Sequence, residues 1–254
     1  MLEIPGSMQV TLVSHYGQKP EELSGLIHYC QKLLSRSLGN GFRPYQLEQV
    51  HGTIIGLEGH QVAGKIVNRN SADLGSPTHV DPAALLSFLR NDFPRIDVQI
   101  GGFRPWADYG FVSRGEHPYS RSFSIQGKIA VAMGWPVRDK TFSKAIDALR
   151  WDSCRRLGVR HKWHKHDKAE DNDFFFVLGR VEAGLDQFKL RHAEHEVRAF
   201  LCGLEGVPVH ISTDTLQIVA YLDEQLAPET SCALPLNDPG LTPARLVAFY
   251  PPPP

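Results

Sequence analysis

The chain predicts an α+β fold of two lobes, with helices laid outside curved antiparallel sheets. Three observations predict it. The readable elements run strand, helix, strand, helix, then hairpin, helix, strand, helix and closing strands. The length of 254 residues, 42% of them hydrophobic, is enough for a large core in one domain spanning residues 1–250, with a proline tail at 251–254. Finally, His51-Gly52-Thr53-Ile54-Ile55-Gly56-Leu57-Glu58 lies without gaps against Phe175-Phe176-Val177-Leu178-Gly179-Arg180-Val181-Glu182, each segment ahead of an outer helix. Such an echo fits two similar lobes facing one another, although two ordinary core strands match as well by chance.

Residues 9–13 are rich in β-branched side chains and read as a strand. A helix follows from Pro20, with Leu23, Leu26, Ile27, Cys30, Leu33 and Leu34 on one face and Gly39 as its stop. After the His51 strand, Asp81-Pro82 opens a second helix as cap and first-turn proline, carrying Leu85, Leu86 and Leu89. Residues 96–100 form a short strand, and 122–125 and 129–133 flank Gln126-Gly127-Lys128 as a hairpin. A third helix is predicted over 140–157, with Phe142, Ile146 and Leu149 inward and Gly158 ending it. Residues 174–181 make the most apolar strand. A fourth helix from Asp186 points Phe188, Val197, Phe200, Leu201 and Leu204 inward and ends at Gly206. Strands at 207–211, 216–222 and 246–250 close the fold, and 251–254 are an extended, disordered end.

The formal net charge of −1 supplies no global field toward nucleic acid or a membrane. Four isolated cysteines, with no C-x-x-C pair, fit a reducing compartment. The first residues, Met1-Leu2-Glu3-Ile4-Pro5, lack a basic region followed by an apolar one, and no apolar run reaches membrane-spanning length. The expectation is a cytoplasmic protein without membrane contact.

The candidate chemistry begins at Val50-His51-Gly52-Thr53-Ile54-Ile55-Gly56-Leu57-Glu58. Residues two apart on a strand share a face, so His51 and Thr53 enter one polar concavity while Ile54 and Leu57 serve the core. An imidazole beside a hydroxyl can move a proton and hold a phosphate oxygen at one site. A satisfied structural histidine is the competing reading.

This segment is similar to the first motif of the two-histidine (2H) phosphoesterase superfamily, whose members include 2′,3′-cyclic nucleotide phosphodiesterases and proteins named for 2′-5′ RNA ligation. The Met133-Gly134-Trp135-Pro136 hairpin end, the helix and strand after it, and the stretches from Val207 and Leu216 follow that family's second half in order. The resemblance covers about residues 50–222, and one motif in it is specific. It implies two pseudo-symmetric lobes, each giving one His-x-Thr/Ser strand to a central groove. His51 becomes an acid/base and Thr53 a phosphate ligand. The partner is then a cyclic phosphate or phosphodiester of a nucleotide or RNA end. Proton transfer and hydrogen bonding carry that chemistry, so it requires no metal or organic cofactor. The chain departs from the pattern at Phe175-Phe176-Val177, where the second His-x-Thr belongs. A phenylalanine exchanges no proton, and each general acid or base is typically worth about 10²–10⁴-fold in rate. The alternative is therefore a non-catalytic relative that binds a nucleotide or RNA.

Two segments offer replacements. Arg160-His161-Lys162-Trp163-His164-Lys165-His166-Asp167-Lys168 supplies His164 or His166 as the second acid, with Arg160 and the lysines attracting phosphate. Its His-x-His-Asp run also permits a metal site, and a solvated loop balanced by Asp171 and Asp173 explains it equally. In residues 103–123, aromatics interleave with Arg104, Arg114 and Arg121, a combination that stacks bases and forks phosphate. Arg114, Arg121, Tyr119 and Trp106 are the binding candidates there, and His117 is another possible acid. A structured loop is the alternative for this segment. His192 and His195, three apart on a helix, and His210-Ile211-Ser212 are weaker candidates, read as exposed surface or hinge.

Overall fold

The computed structural model describes residues 8–252. The strands are β1 (Gln9–Ser14), β2 (Phe42–Pro44), β3 (Gly52–Gly56), β4 (Gly59–Val62), β5 (Lys65–Asn68), β6 (His79–Val80), β7 (Ile96–Ile100), β8 (Phe123–Gln126), β9 (Ile129–Arg138), β10 (Thr141–Phe142), β11 (Phe174–Val181), β12 (Val207–Ile211), β13 (Leu216–Tyr221) and β14 (Ser231–Pro235). The helices are α1 (Glu21–Leu38), α2 (Arg69–Ala72), α3 (Pro82–Ser87), α4 (Pro118–Arg121), α5 (Ala145–Leu157), α6 (Gln187–Gly203) and α7 (Pro243–Val247). This is an α+β fold. One large sheet runs β12-β7-β9-β11-β3-β1-β13-β14, with β2 added to β11 and with β8 and β10 added to β9. A small sheet holds β4, β5 and β6.

The large sheet is internally symmetric about its centre. β3 and β11 meet antiparallel at Gly52 and Phe176, the two residues that the sequence echo aligns. Equivalent residues standing opposite one another are what a local two-fold axis through that point produces. On the outer sides, β1 puts Val13 against Thr53 and β9 puts Val131 against Val177. Both ladders then skip one residue, Ile54 in β3 and Leu178 in β11. The same bulge therefore follows the same position in each strand. Each half also lends its last strand to the other side: β7 pairs β9, and β13 pairs β1. The two lobes thus share one continuous sheet.

The face opposite the groove is packed with Phe174 and Phe176, both wholly buried, against the apolar stripes of the helices. Gly52 is small for a definite reason: a Cβ there would overlap the Phe174 ring. Asp81 caps α3 as read, its carboxylate accepting the Ala83 N–H at 2.8 Å with Pro82 in the first turn.

Several expectations need correction. The helix predicted over 140–157 starts at Ala145, because Asp139 and Lys140 adopt positive φ and turn the chain back as β10. Phe142 accordingly packs with Phe103 and Phe111 in a separate aromatic cluster. Residues 246–250 are no strand; they end α7 and follow it, with Leu246 buried. Phe188 is 70% exposed rather than inward, and α6 ends at Gly203. Pro251 is held, its carbonyl accepting the Gln61 N–H at 2.9 Å; the expectation for Pro253 and Pro254, like that for residues 1–5, lies outside the described residues. No described helix is long and apolar enough to cross a membrane, and the four cysteines are unpaired.

Candidate functional site

A cavity of about 290 Å³ lies over the pseudo-two-fold axis on the open face of the sheet. Its floor is formed by Thr11 of β1, His51 before β3, Thr53 of β3, Phe175 and Val177 of β11, and Val131 and Met133 of β9. Period-two alternation delivers His51 with Thr53 and Phe175 with Val177 to the same face. One half of the floor is polar. Its symmetry mate is apolar.

His51 is nearly buried, with 9% of its surface exposed, yet it lines the cavity. Its Nδ1 lies 2.7 Å from the Gln49 carbonyl. A carbonyl only accepts, so Nδ1 carries the proton and Nε2 holds the lone pair. Burial pushes the imidazole down to about 4, the Gln49 bond opposing that and the Lys19 charge adding to it. At neutral pH the ring is an uncharged proton acceptor. Among the described residues, neither Nε2 nor the Thr53 hydroxyl has a hydrogen-bond partner.

The cationic rim is built around two aspartates. Asp173 takes the Ser113 hydroxyl at 2.7 Å, the Trp135 indole N–H at 2.8 Å and the Arg121 guanidinium at 3.0 Å. Arg114 reaches both Asp173 at 3.3 Å and Asp171 at 3.5 Å, and it stacks over the Trp163 ring at 4.6 Å. Arg114 also sits at a φ of +50°, in the tight turn Ser113–Glu116. Its side chain is 40% exposed, whereas that of Arg121 is 10% exposed and latched. Arg114, the exposed Lys162 and the half-buried Arg180 are thus the lining cations open to a ligand. Behind the floor, the fully buried Arg150 of α5 donates to the Ile54 carbonyl at 2.9 Å and the Asp171 carbonyl at 2.8 Å, and pairs with the Asp171 carboxylate at 3.2 Å. Burial raises Asp171, but the His161 N–H and the Arg150 charge outweigh it and hold the carboxyl well below its usual range.

No family model and no curated protein matches the chain. Among solved structures, TT0787 of Thermus thermophilus aligns with a TM-score of 0.39 at 13% identity, covering 89% of this chain and 94% of that one. ATU0111 from Agrobacterium tumefaciens str. C58, a conserved protein of unknown function, gives 0.42 at 12% identity and 82% of each chain. Likenesses this loose carry no argument about the site.

The remaining sequence candidates are dispersed. His164 is fully buried, stacked on Trp151 at 4.1 Å, with Nε2 3.0 Å from Asp147, so it cannot serve as the second acid in the groove. His161 is likewise buried against Asp171, its imidazole pushed down to about 3 by burial and by Arg150. His166 is exposed and lies outside the cavity lining. His161 and His164 pack edge to face at 5.4 Å, away from the exposed His166, and among the described residues no group of three or more His, Cys, Asp or Glu side chains could hold a metal ion. Trp106 is 76% exposed and Tyr119 packs into the aromatic cluster, so neither lines the cavity. His117 caps α4 through its Nδ1 and donates from Nε2 to the Ala107 carbonyl, which removes it as an acid. His192 and His195 are exposed, and His210 pairs with Asp97 on the sheet edge.

Sequence reading missed Arg150 and the structural role of the two aspartates. A lone arginine inside an amphipathic helix carries no motif. The Asp171-Asn172-Asp173 run directly before an apolar strand was the available signal.

Proposed function

We propose that the groove binds the phosphate of a cyclic phosphate or phosphodiester at a nucleotide or RNA end, with His51 as its single proton carrier and Thr53 as a hydroxyl donor to phosphate. The carrying observation is that His51 Nε2 and the Thr53 side chain enter one cavity, unpartnered, beneath a rim bearing Arg114 and Lys162. A neutral imidazole with a free lone pair is suited to take a proton from an attacking water or hydroxyl. A phosphate anion bound beside it raises its affinity for that proton. In-line displacement also needs a proton for the leaving oxygen, and the symmetry-related position holds Phe175. Turnover on this reading is slow.

That same phenylalanine favours a second reading, a relative that binds nucleotides without turning them over, with Phe175 as a stacking surface. One experiment separates the two. Wild-type protein, His51→Ala and the double variant Phe175→His with Val177→Thr are assayed on 2′,3′-cyclic nucleotides, measuring both binding and hydrolysis. Slow hydrolysis lost in His51→Ala, and raised by about 10²–10⁴-fold in the double variant, supports the one-histidine enzyme. Binding without hydrolysis in all three supports the second reading. Absence of binding in the wild type sinks both.

A further inference from the structure

We infer that the groove takes the end of a single-stranded oligonucleotide, whose chain leaves across the loop of residues 160–168. The inference deepens the phosphate-binding reading given above and rests on it. In a chain of formal net charge −1, this loop gathers Arg160, Lys162, Lys165 and Lys168 against one acid, Asp167. Arg160 is held inward, its Nε donating to the His164 carbonyl at 2.7 Å. Lys162, Lys165 and Lys168 are exposed, and among the described residues Lys144, with Glu170 at 2.6 Å, is the one lysine in an ion pair. Lys162 and Trp163 line the cavity, and the Trp163 ring, 44% exposed, carries Arg114 at 4.6 Å. The fold itself does not call for these lysines. The equivalent connection of the first lobe, residues 39–51 between α1 and β3, has a single lysine or arginine, Arg43, and that side chain is paired with Glu182 at 2.8 Å.

The two ends of the groove differ in charge, which gives the ligand a direction. Because Gly52 stands opposite Phe176, Thr53 lies beside Phe175 and His51 beside Val177. Beyond Phe175 come Asp173 and the basic loop, and beyond Val177 comes Arg180. Asp173 and Arg180 are about 20 Å apart along the strand once the Leu178 bulge is allowed for. At the Arg180 end the exposed Asp223 and Glu224 answer its charge. Burial raises the Tyr45 hydroxyl there, Arg180 opposes the rise, and Asp223 and Glu224 add to it. At the other end Asp173 is already bonded to Arg121 and Arg114, and Glu58 is folded over Gly56 with Oε1 on the Tyr221 hydroxyl. A polyanion is therefore drawn out over the 160–168 loop and repelled at Asp223 and Glu224. A strand that can leave in one direction only is held by its end. An aromatic ring among the lysines suits single-stranded bases, whose flat faces are free to stack, rather than a duplex or a lipid headgroup.

The test is calorimetric titration of the wild-type protein with three probes, at about 50 and about 200 mM salt. They are adenosine 2′,3′-cyclic phosphate, an adenosine hexanucleotide RNA ending in a 2′,3′-cyclic phosphate, and the same hexanucleotide ending in a 3′-hydroxyl. The cyclic-phosphate hexanucleotide is expected to bind at least about tenfold more tightly than the mononucleotide, and more tightly than the 3′-hydroxyl form. The variant Lys165→Gln with Lys168→Gln changes two exposed residues outside the cavity lining. In it the slope of log affinity against log salt for the hexanucleotide should become shallower by about 1.4, roughly 0.7 for each single-strand phosphate contact, while mononucleotide affinity holds. Equal affinity for mononucleotide and hexanucleotide, both weakened by His51→Ala, overturns the inference and leaves the groove reading standing. A hexanucleotide advantage and slope unchanged in the double variant overturn the assignment to the loop. Equal binding of the two hexanucleotides overturns recognition of the chain end. No binding by any probe overturns both readings. The comparison of probes needs no substitution, so a poorly folded variant does not blunt the test.

Discussion

Gly52 decides whether His51 and Thr53 can stand side by side. Flanked by two groove-facing residues, it points the other way, into the space filled by the Phe174 ring. Gly52→Ala is therefore expected to destabilise the fold by roughly 1–3 kcal/mol, the cost of forcing a methyl into a close-packed core, and to move His51 as the strand shifts. Chemical denaturation checks the first effect, and phosphate affinity checks the second. The two rim arginines should separate in a similar way. Arg121→Ala strips a buried carboxylate of its best partner, since Asp173 is only 4% exposed, and should lower stability markedly. Arg114→Ala should leave stability nearly intact but weaken ligand binding and its dependence on salt, because this cation is partly exposed. Equal stability loss in both variants would contradict this division. That His51 and Thr53 share one face was legible in the sequence because strand alternation is a local signal; that Arg121 is held by Asp173 was not, because the pair is 52 residues apart. His164 and His166 were not: adjacent loop histidines read alike, and tertiary packing buries one against Trp151 while leaving its neighbour in solvent.

At the level of elements, the bulges at Ile54 and Leu178 each turn a carbonyl toward a helix, and that of Leu178 also accepts the Tyr45 N–H at 3.0 Å. Gln31 of α1 donates to the Leu178 carbonyl at 2.9 Å, and Arg150 of α5 donates to the Ile54 carbonyl at 2.9 Å. Each lobe's helix thus reaches the bulge of the opposite lobe's strand with a buried polar side chain. Only the Arg150 side adds a charge, matched by Asp171. Arg150→Met should cost about 3 kcal/mol, because it removes the buried guanidinium beside the Asp171 carboxylate, leaving it the His161 N–H and the more distant Arg114, and also the donor to the Ile54 carbonyl. Asp171→Asn with Arg150→Met should recover part of that loss. A double variant no better than the single one would show that the ion pair is not the coupling. The short echo of His51–Glu58 on Phe175–Glu182 was readable from the residues, and its structural content is these matched bulges. The β10 reversal escaped notice because positive φ at Asp139 and Lys140, neither of them glycine, leaves no compositional mark. The three-stranded β4-β5-β6 sheet was missed because its short strands lack an apolar run.

Across the whole molecule, three buried imidazoles held far below their ordinary value make the fold sensitive to acid, and burial lowers His164 in the same direction. His15 and His51 are pushed down to about 4 and His161 to about 3, chiefly by burial. A group whose folded pKa lies below its ordinary value near 6.5 stays neutral in the folded chain while the unfolded chain takes up a proton. Its contribution is complete above about pH 6.5 and drains away as pH falls from there toward 4. The depressed carboxyl of Asp171 acts in the same direction at lower pH, below the usual carboxylate range. With all three imidazoles titrating only in the unfolded chain, stability should fall by about 4 kcal/mol per pH unit near pH 5. Thermal unfolding followed from pH 7.5 to 4.5 should show Tm nearly constant above pH 7 and then dropping steeply. His51→Ala should make that drop shallower by removing one of the three protons. A saturating phosphate ligand should do the same by a different route, because an anion beside Nε2 raises the folded pKa of His51 toward its unfolded value. A Tm that holds level down to pH 5 would mean these rings are already charged in the folded chain, and His51 would then lack the lone pair its role requires.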